Sequence, residues 1–466
     1  MDEIRILSPT AILGYGFPES SFTEGMKRNP HVIAVDAGST DPGPYYLGAG
    51  ISFTDRQAVK RDLALMIPAA LEKKIPVIVG SCGGCGADSH LNWTVDIVRE
   101  IAAENGLTFK MAVISAEVDH QVVLDNLAAG KVTPLHPAPA LTKEMVDQST
   151  SIVAQMGVEP FIKALEMGAE VILAGRAYDP SVFASMAIKE GFDPGLAIHM
   201  GKILECAAIA ATPGSGSDSM LGTLRKDHFI LEPLSPERKC TTLSVAAHTL
   251  YEKSNPLVLP GPGGVLDLNQ TTFTQATENS VMVKGSRFIP TPAGDKPTVK
   301  LEGARRVGFR TVSFAAAADP IMISQIDKIV EAVKARVKNN FTKLNPDEYF
   351  LDFKIYGQKG VMSMFKNLPP AAGEAPRELA IIIEAVAPTQ EQANTLCGFA
   401  RSTMLHFGYE GRKSTAGNLA FPFSPSDFKA GEVYEFALYH LLEVDDPLKC
   451  FPIVMKNCVK GECHEI

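Results

Sequence analysis

Apolar and polar positions alternate in two different rhythms along the first 185 residues. Short, largely apolar runs read as strands: Ile4–Leu7, His31–Val35, Ile75–Val79, Phe109–Ile114 and Val171–Ala174. Between them lie longer stretches with helical spacing: Pro18–Lys27, Gln57–Lys73, Leu91–Asn105, Gln121–Ala129 and Val158–Met167. Strands alternating with amphipathic helices imply crossover connections and a parallel sheet. Continuous rather than alternating apolarity in the strands implies that both faces are covered. The expected architecture is α/β, with a doubly wound parallel sheet in the N-terminal half.

Beyond residue 185 the rhythm loosens. Leu196–Ala211 and Thr241–Tyr251 read as helices, Pro213–Ser219 as a loop, and the Pro/Gly-rich Pro256–Gly264 as irregular. From Arg305 a new order appears. It runs strand Val307–Phe314, helix Ile321–Asn340, strands Tyr349–Tyr356 and Glu378–Ala385, helix Pro388–Phe407 and a last strand Asn418–Phe423. This βαββαβ order predicts a smaller C-terminal α+β domain of ferredoxin-like type, with Pro369–Pro376 as its middle loop. The expected domains are residues 1–300 and 301–466.

Composition narrows the class of function. The net charge of −9 argues against a nucleic-acid or anionic-membrane surface. The acidic start Met1-Asp-Glu-Ile-Arg has no basic or apolar leader, and no apolar run reaches the ~20 residues of a membrane span. A cytoplasmic protein with reduced thiols is expected, and the Cys458/Cys463/His464 tail is read as a solvated end.

In open α/β sheets ligands bind outside the carboxyl ends of the strands. Each strand end here carries unusual residues. The first gives Gly14-Tyr15-Gly16, which lacks the third glycine of a dinucleotide fingerprint. The second gives Asp36 and Asp41, with Asp36 near the place of a ribose-binding acid or else capping a tight turn. The third gives Ser81-Cys82-Gly83-Gly84-Cys85-Gly86. Its amides could cradle an anion at a helix N-terminus, or its glycines could serve only a tight turn. Cys82 and Cys85 read either as a redox pair or as two small residues in a crowded loop. The fourth gives Asp119-His120, suited to general base work or metal ligation, and the fifth gives Arg176, Tyr178 and Asp179.

Further on, the helix around His199 carries Lys202 and Cys206 on one face, with Glu205 off that stripe. His248 and Glu252 stand four residues apart, a spacing that suits either metal ligation or a surface pair.

At these residues the chain resembles the acyclic terpene utilisation (AtuA-like) family. The resemblance is carried by Asp36-Ala-Gly-Ser-Thr-Asp41, the loop from Ser81, Gly175-Arg-Ala-Tyr-Asp179, Gly201-Lys-Ile-Leu-Glu205-Cys-Ala and His248-Thr-Leu-Tyr-Glu252. Arg310-Thr-Val-Ser-Phe, Asp319-Pro320 and Val444-Asp-Asp-Pro also carry it. It implies a place in a catabolic pathway that degrades citronellol and geraniol through CoA thioesters. It also implies a small ferredoxin-like partner subunit or fused domain. It supplies no catalytic residues.

Together these readings predict an enzyme of lyase or hydratase type acting on a small carboxylate or its CoA thioester. Asp119, His120, Arg176 and Asp179 are the catalytic candidates, with Arg176 holding a carboxylate. Gly14, Gly16, Ser81, Cys82, Gly83, Gly84, Cys85, His199 and Glu205 are the substrate- or anion-binding candidates. Asp36 and Asp41, with Asp179, could hold a divalent metal. The alternatives are a nucleotide-cofactor oxidoreductase and a non-catalytic subunit of a complex. A homo-oligomer is expected, with the largely apolar Val433–Leu441 in its interface.

Overall fold

The computed structural model describes residues 1–251, 255–361 and 376–466. Glu252 and nearly all of the expected Pro369–Pro376 loop lie outside the described residues. Two compact units are present. One comprises Met1–Arg305 with Phe436–Ile466, the other Arg306–Glu435. The chain passes from one to the other within strand Thr298–Ala317 and returns within strand Asp427–Glu443.

The first unit is a mixed α/β structure around an eleven-stranded sheet. Its centre is parallel, in the order Glu3–Ser8, Val32–Asp36, Val77–Gly80, Val171–Ala174, Thr108–Ile114. Why apolar residues run on without period-two alternation is visible in the packing. Val32 and Ala34 face one apolar core, while Ile33 and Val35 face another; Ile172 and Ala174 divide from Val171 and Leu173 in the same way. Helices Arg56–Lys73 and Asp88–Asn105 cover one face, and Glu159–Glu166, Asp179–Lys189 and Pro194–Leu204 the other. A strand buried on both sides has no polar face, so period-two alternation disappears.

Antiparallel strands flank this centre. Met220–Arg225, Phe229–Pro233, Val281–Lys284 and Thr272–Gln275 continue it past Glu3–Ser8. Ile453–Val459 and Glu462–Glu465 continue it past Thr108–Ile114. The reading of the tail as a solvated end is therefore corrected. Met455 and Cys458 alternate into the two cores, Cys458 is fully buried, and Cys458 forms a disulfide with Cys463 across the hairpin. The other six cysteines are free.

Pro256–Gly264 is also corrected. It contributes strand Val258–Gly261, which pairs with Gly264–Asp267 in a short antiparallel sheet, so the Pro/Gly content marks a tight hairpin.

In the second unit the strands within Thr298–Ala317, Leu379–Ala387 and Phe350–Tyr356 pair antiparallel. Helices Ile326–Asn340 and Gln390–Leu405 bury one face of this sheet, with Ile381, Ile383 and Ala385 meeting Ile329, Val333, Leu396 and Ala400 in one core. Asn418–Phe423 is not a strand but makes one bridge, Ala316 to Ala420. The last strand is Asp427–Glu443, where the alternation is clearer.

Candidate functional site

Five parallel strands bring their carboxyl ends to one edge of the first unit. Asp36 is the last residue of its strand and stands level with Gly80 in the neighbouring one. Arg176 follows the next strand by two residues, and Asp179 opens helix Asp179–Lys189, where the positive end of the helix dipole favours a carboxylate.

Arg176 is 3% exposed and heavily engaged. Its Nε donates to Glu302 at 2.7 Å, and its Nη1 donates to Asp179 at 3.0 Å, to Ser81 Oγ at 3.3 Å and to the Ala177 carbonyl at 2.6 Å. Glu302 is equally buried and also receives Lys300 at 2.8 Å and the Thr40 hydroxyl at 3.1 Å. Burial alone would raise the Glu302 carboxyl, but Arg176 and Lys300 hold it down at about 2. Burial likewise opposes the Arg176 charge, and Glu302 and Asp179 more than restore it. This buried salt bridge carries a second cation, Lys300, on the same carboxylate.

Asp36 is different. It is 5% exposed; Oδ2 accepts the Gly38 amide at 3.1 Å, while Oδ1 is enclosed with no hydrogen-bond partner among the described residues. Burial first, then the charges of Asp179 and Glu205, raise its pKa well above the ordinary carboxylate value, although Arg176 pulls the other way. Asp179 is raised too, chiefly by burial and against the pull of Arg176. Asp36, which has no ion pair among the described residues, is raised the further of the two. Two coupled carboxyls of unequal affinity form a proton donor and acceptor set. Tyr178 and Glu205 lie within electrostatic reach of the pair. The Tyr178 phenol is raised by burial and then by the charges of Glu205 and Asp179.

The structure thus gathers Asp36, Ser81, Arg176, Asp179 and Glu205. Glu302 and Lys300 were not identified in the sequence. They stand two apart on a strand more than 120 residues from Arg176, and no local pattern joins them.

The remaining candidates lie differently. Asp119 is exposed and caps helix His120–Ala128 by accepting the Gln121 amide at 2.7 Å; His120 Nε2 meets the Ser149 carbonyl at 2.9 Å. Among the described residues neither contacts Asp36, Arg176 or Asp179. Asp119 instead lines a separate cavity of about 360 Å³ with Glu117, Lys131 and Lys449. Asp41 is exposed on its turn. Among the described residues no group of three or more His, Cys, Asp or Glu side chains is placed to hold a metal ion.

His199 is fully buried with both nitrogens engaged, Nδ1 to Ser286 at 2.6 Å and Nε2 to Thr249 at 3.0 Å. Thr249 donates its own hydroxyl to the Val245 carbonyl, so it accepts from Nε2–H, and Nδ1 accepts from Ser286. Burial, then the Lys202 charge, pushes this imidazole down to about 3.

The glycine loops are packing devices first. Gly14 and Gly16 both donate their amides to the buried Asp62, at 2.8 and 3.1 Å. That turn already cradles an anion, one supplied by the chain itself. In the Ser81–Gly86 loop a Cβ on Gly83 would stand 2.7 Å from His90. Cys82 and Cys85 are buried free thiols, both pushed up to about 12 by burial. Desolvation outweighs any helix-terminus effect, so the pair lacks the thiolate that redox exchange needs. Iodoacetamide at pH 8 is therefore expected to label the part-exposed Cys206 and Cys450 and to leave Cys82 and Cys85 unmodified in peptide mass mapping. Rapid labelling of either loop cysteine in the folded protein would contradict this placement.

The site belongs to a mixed α/β protein that gathers buried carboxyls and an arginine at the ends of parallel strands. The chain matches the model of the acyclic terpene utilisation family protein AtuA over residues 55–218 and 228–425, and it belongs to that family. The matched segments include Ser81, Arg176, Asp179, Glu205, His248 and Glu302; Asp36 precedes them. No curated protein and no solved structure matches the chain. Among the described residues no helix is long and apolar enough to cross a membrane.

Proposed function

We propose that this chain is a catabolic enzyme of lyase or hydratase type, acting on a small carboxylate or its CoA thioester. The observation that carries the reading is Asp36: a buried carboxyl with an oxygen that is enclosed and has no partner among the described residues, within electrostatic reach of the Arg176-paired Asp179. In the hydration direction Asp36 gives its proton to one carbon of the substrate double bond. Asp179 takes the proton of the attacking water, and transfer of that proton back to Asp36 resets the pair. Arg176 holds Asp179 in place. Its Nη2, which makes no hydrogen bond to a described residue, is left to polarise a substrate oxygen.

The oxidoreductase alternative is less well supported, because a pyrophosphate at Gly14–Gly16 would have to displace Asp62. We read the second unit as ferredoxin-like on its strand order Phe350–Tyr356, Leu379–Ala387, Thr298–Ala317, Asp427–Glu443.

The test uses a panel of short branched enoates and their CoA thioesters, with product mass gain of one water as the readout. Asp36→Asn keeps size and shape and removes the titrating proton. It is expected to lower turnover by about 10²-fold or more with unchanged circular dichroism. Full activity of Asp36→Asn, or no turnover of any panel member by the parent protein, would sink the reading.

A further inference from the structure

Among the described residues no carboxylate lies within ion-pair distance of the buried cation Lys202. It sits on helix Pro194–Leu204 and is 2% exposed. Among the described residues its ammonium has neither an ion pair nor a hydrogen bond. It lies over the face of the Tyr251 ring, 5.0 Å from its centre. The contrast with Arg176, equally buried but matched by Glu302 and Asp179, is direct. Taking an ammonium out of water is costly, and a cation–π contact returns only part of that cost.

A second group beside it is also unanswered. His248 is 8% exposed, and its Nε2 is enclosed with no hydrogen-bond partner among the described residues. Its ring lies 4.7 Å from the Tyr251 ring, so His248 and Lys202 converge on the same aromatic. Burial, then the Lys202 charge, holds the imidazole down at about 4, so it is neutral at physiological pH. A buried cation and a neutral imidazole without partners form an incomplete set that a compact anion completes.

The neighbourhood ties this pair to the carboxyl site. Gly201, beside Lys202, lets its helix abut the first turn of helix Asp179–Lys189: a Cβ there would come within 2.5 Å of the Pro180 carbonyl. One helical turn before Lys202, Ile198 lines a cavity of about 180 Å³ with Tyr178, Ser181, Leu259 and Phe288.

We infer that Lys202 and His248 form an anion subsite that binds the free carboxylate of a small acid. The assignment rests on the small-carboxylate reading of the Asp36–Asp179 site and chooses the free acid over the thioester. It also moves the anchoring of that carboxylate from Arg176, whose charge is already matched, to Lys202.

Calorimetric titration of the full chain with 3-methylbut-2-enoate, and separately with its methyl ester, tests this without an activity assay. The parent is expected to bind the acid well and the ester at least about ten-fold more weakly. Lys202→Met is expected to bind both as weakly as the parent binds the ester. Without ligand, its urea midpoint should equal or exceed the parent's, because a buried charge has been removed. His248→Phe, which keeps the ring packing, is a second route to the same loss of acid binding. Equal affinity of Lys202→Met and parent for the acid overturns the subsite, as does failure of the parent to bind the acid. The two readings fail separately. Retained activity in Asp36→Asn with Lys202-dependent binding removes the proton-transfer mechanism and leaves the anion subsite standing.

Discussion

Glu302→Ala is expected to destabilise the first unit by about 3–5 kcal/mol, one of the largest effects any single truncation in this chain will show. The substitution removes the partner of Arg176 Nε and of Lys300 while leaving the guanidinium 3% exposed. An uncompensated buried charge is what makes such a change severe; the pair itself is worth much less than its disruption costs. Removing both ends separates the two quantities. Glu302→Ala combined with Arg176→Met should recover a large part of the loss, and the cycle should be strongly non-additive. Trp93 is the chain's one tryptophan and lies in helix Asp88–Asn105 of the first unit, so its fluorescence during urea unfolding reports the right unit. A Glu302→Ala protein within about 1 kcal/mol of the parent would show that Asp179 alone can carry the arginine, contrary to the geometry.

How far the sequence reveals this site depends on the reach of local patterns. The five central strands and the helices between them announce themselves, because burial on both faces leaves uninterrupted apolar runs. The end of each such run marks where a polar loop must begin, so Asp36, Ser81, Arg176 and Asp179 could be singled out one loop at a time. Glu302 and Lys300 could not. They lie inside strand Thr298–Ala317, where Leu301–Ala304 are all buried, but a charged residue in a strand reads as solvent-facing unless its distant partner is known. Lys202 was legible as part of a helix stripe but not as a buried cation, since burial of α-helical faces depends on what packs against them. Ile453–Val459 misled in the opposite way. Near the chain end, with lysine and asparagine interspersed, it looks like a solvated tail, and only its pairing with Thr108–Ile114 gives Met455 and Cys458 somewhere to go. Asp119-His120 shows the converse risk. An attractive pair at a strand end was legible, but the aspartate caps its helix and the histidine meets a backbone carbonyl.

Gly86→Ala is the second substitution expected to have a large effect, and it joins the fold to the site. Gly86 closes the Ser81–Gly86 loop at φ +68°, a left-handed conformation that costs a residue with a side chain about 1–2 kcal/mol. The larger problem is space. A Cβ at this position would stand 2.1 Å from the Arg176 amide nitrogen and 2.5 Å from the Gly175 carbonyl carbon. Both are backbone atoms, so no rotamer change relieves the clash, and overpacking of this kind typically adds about 1–3 kcal/mol. The Gly86 carbonyl also accepts the Arg176 amide at 3.2 Å. Any movement that makes room for the methyl therefore shifts Arg176, and with it the guanidinium that holds Asp179. Stability should fall by about 2–5 kcal/mol, and turnover should fall in the surviving folded fraction as well. Gly168→Ala separates strain from crowding. Gly168 has φ +81° with open space around its Cβ position, so it should lose only about 1–2 kcal/mol and leave turnover unchanged. Urea midpoints and turnover of the two variants measured side by side decide the matter: equal losses in both would mean that the left-handed backbone alone, and not the contact with Arg176, fixes glycine at position 86.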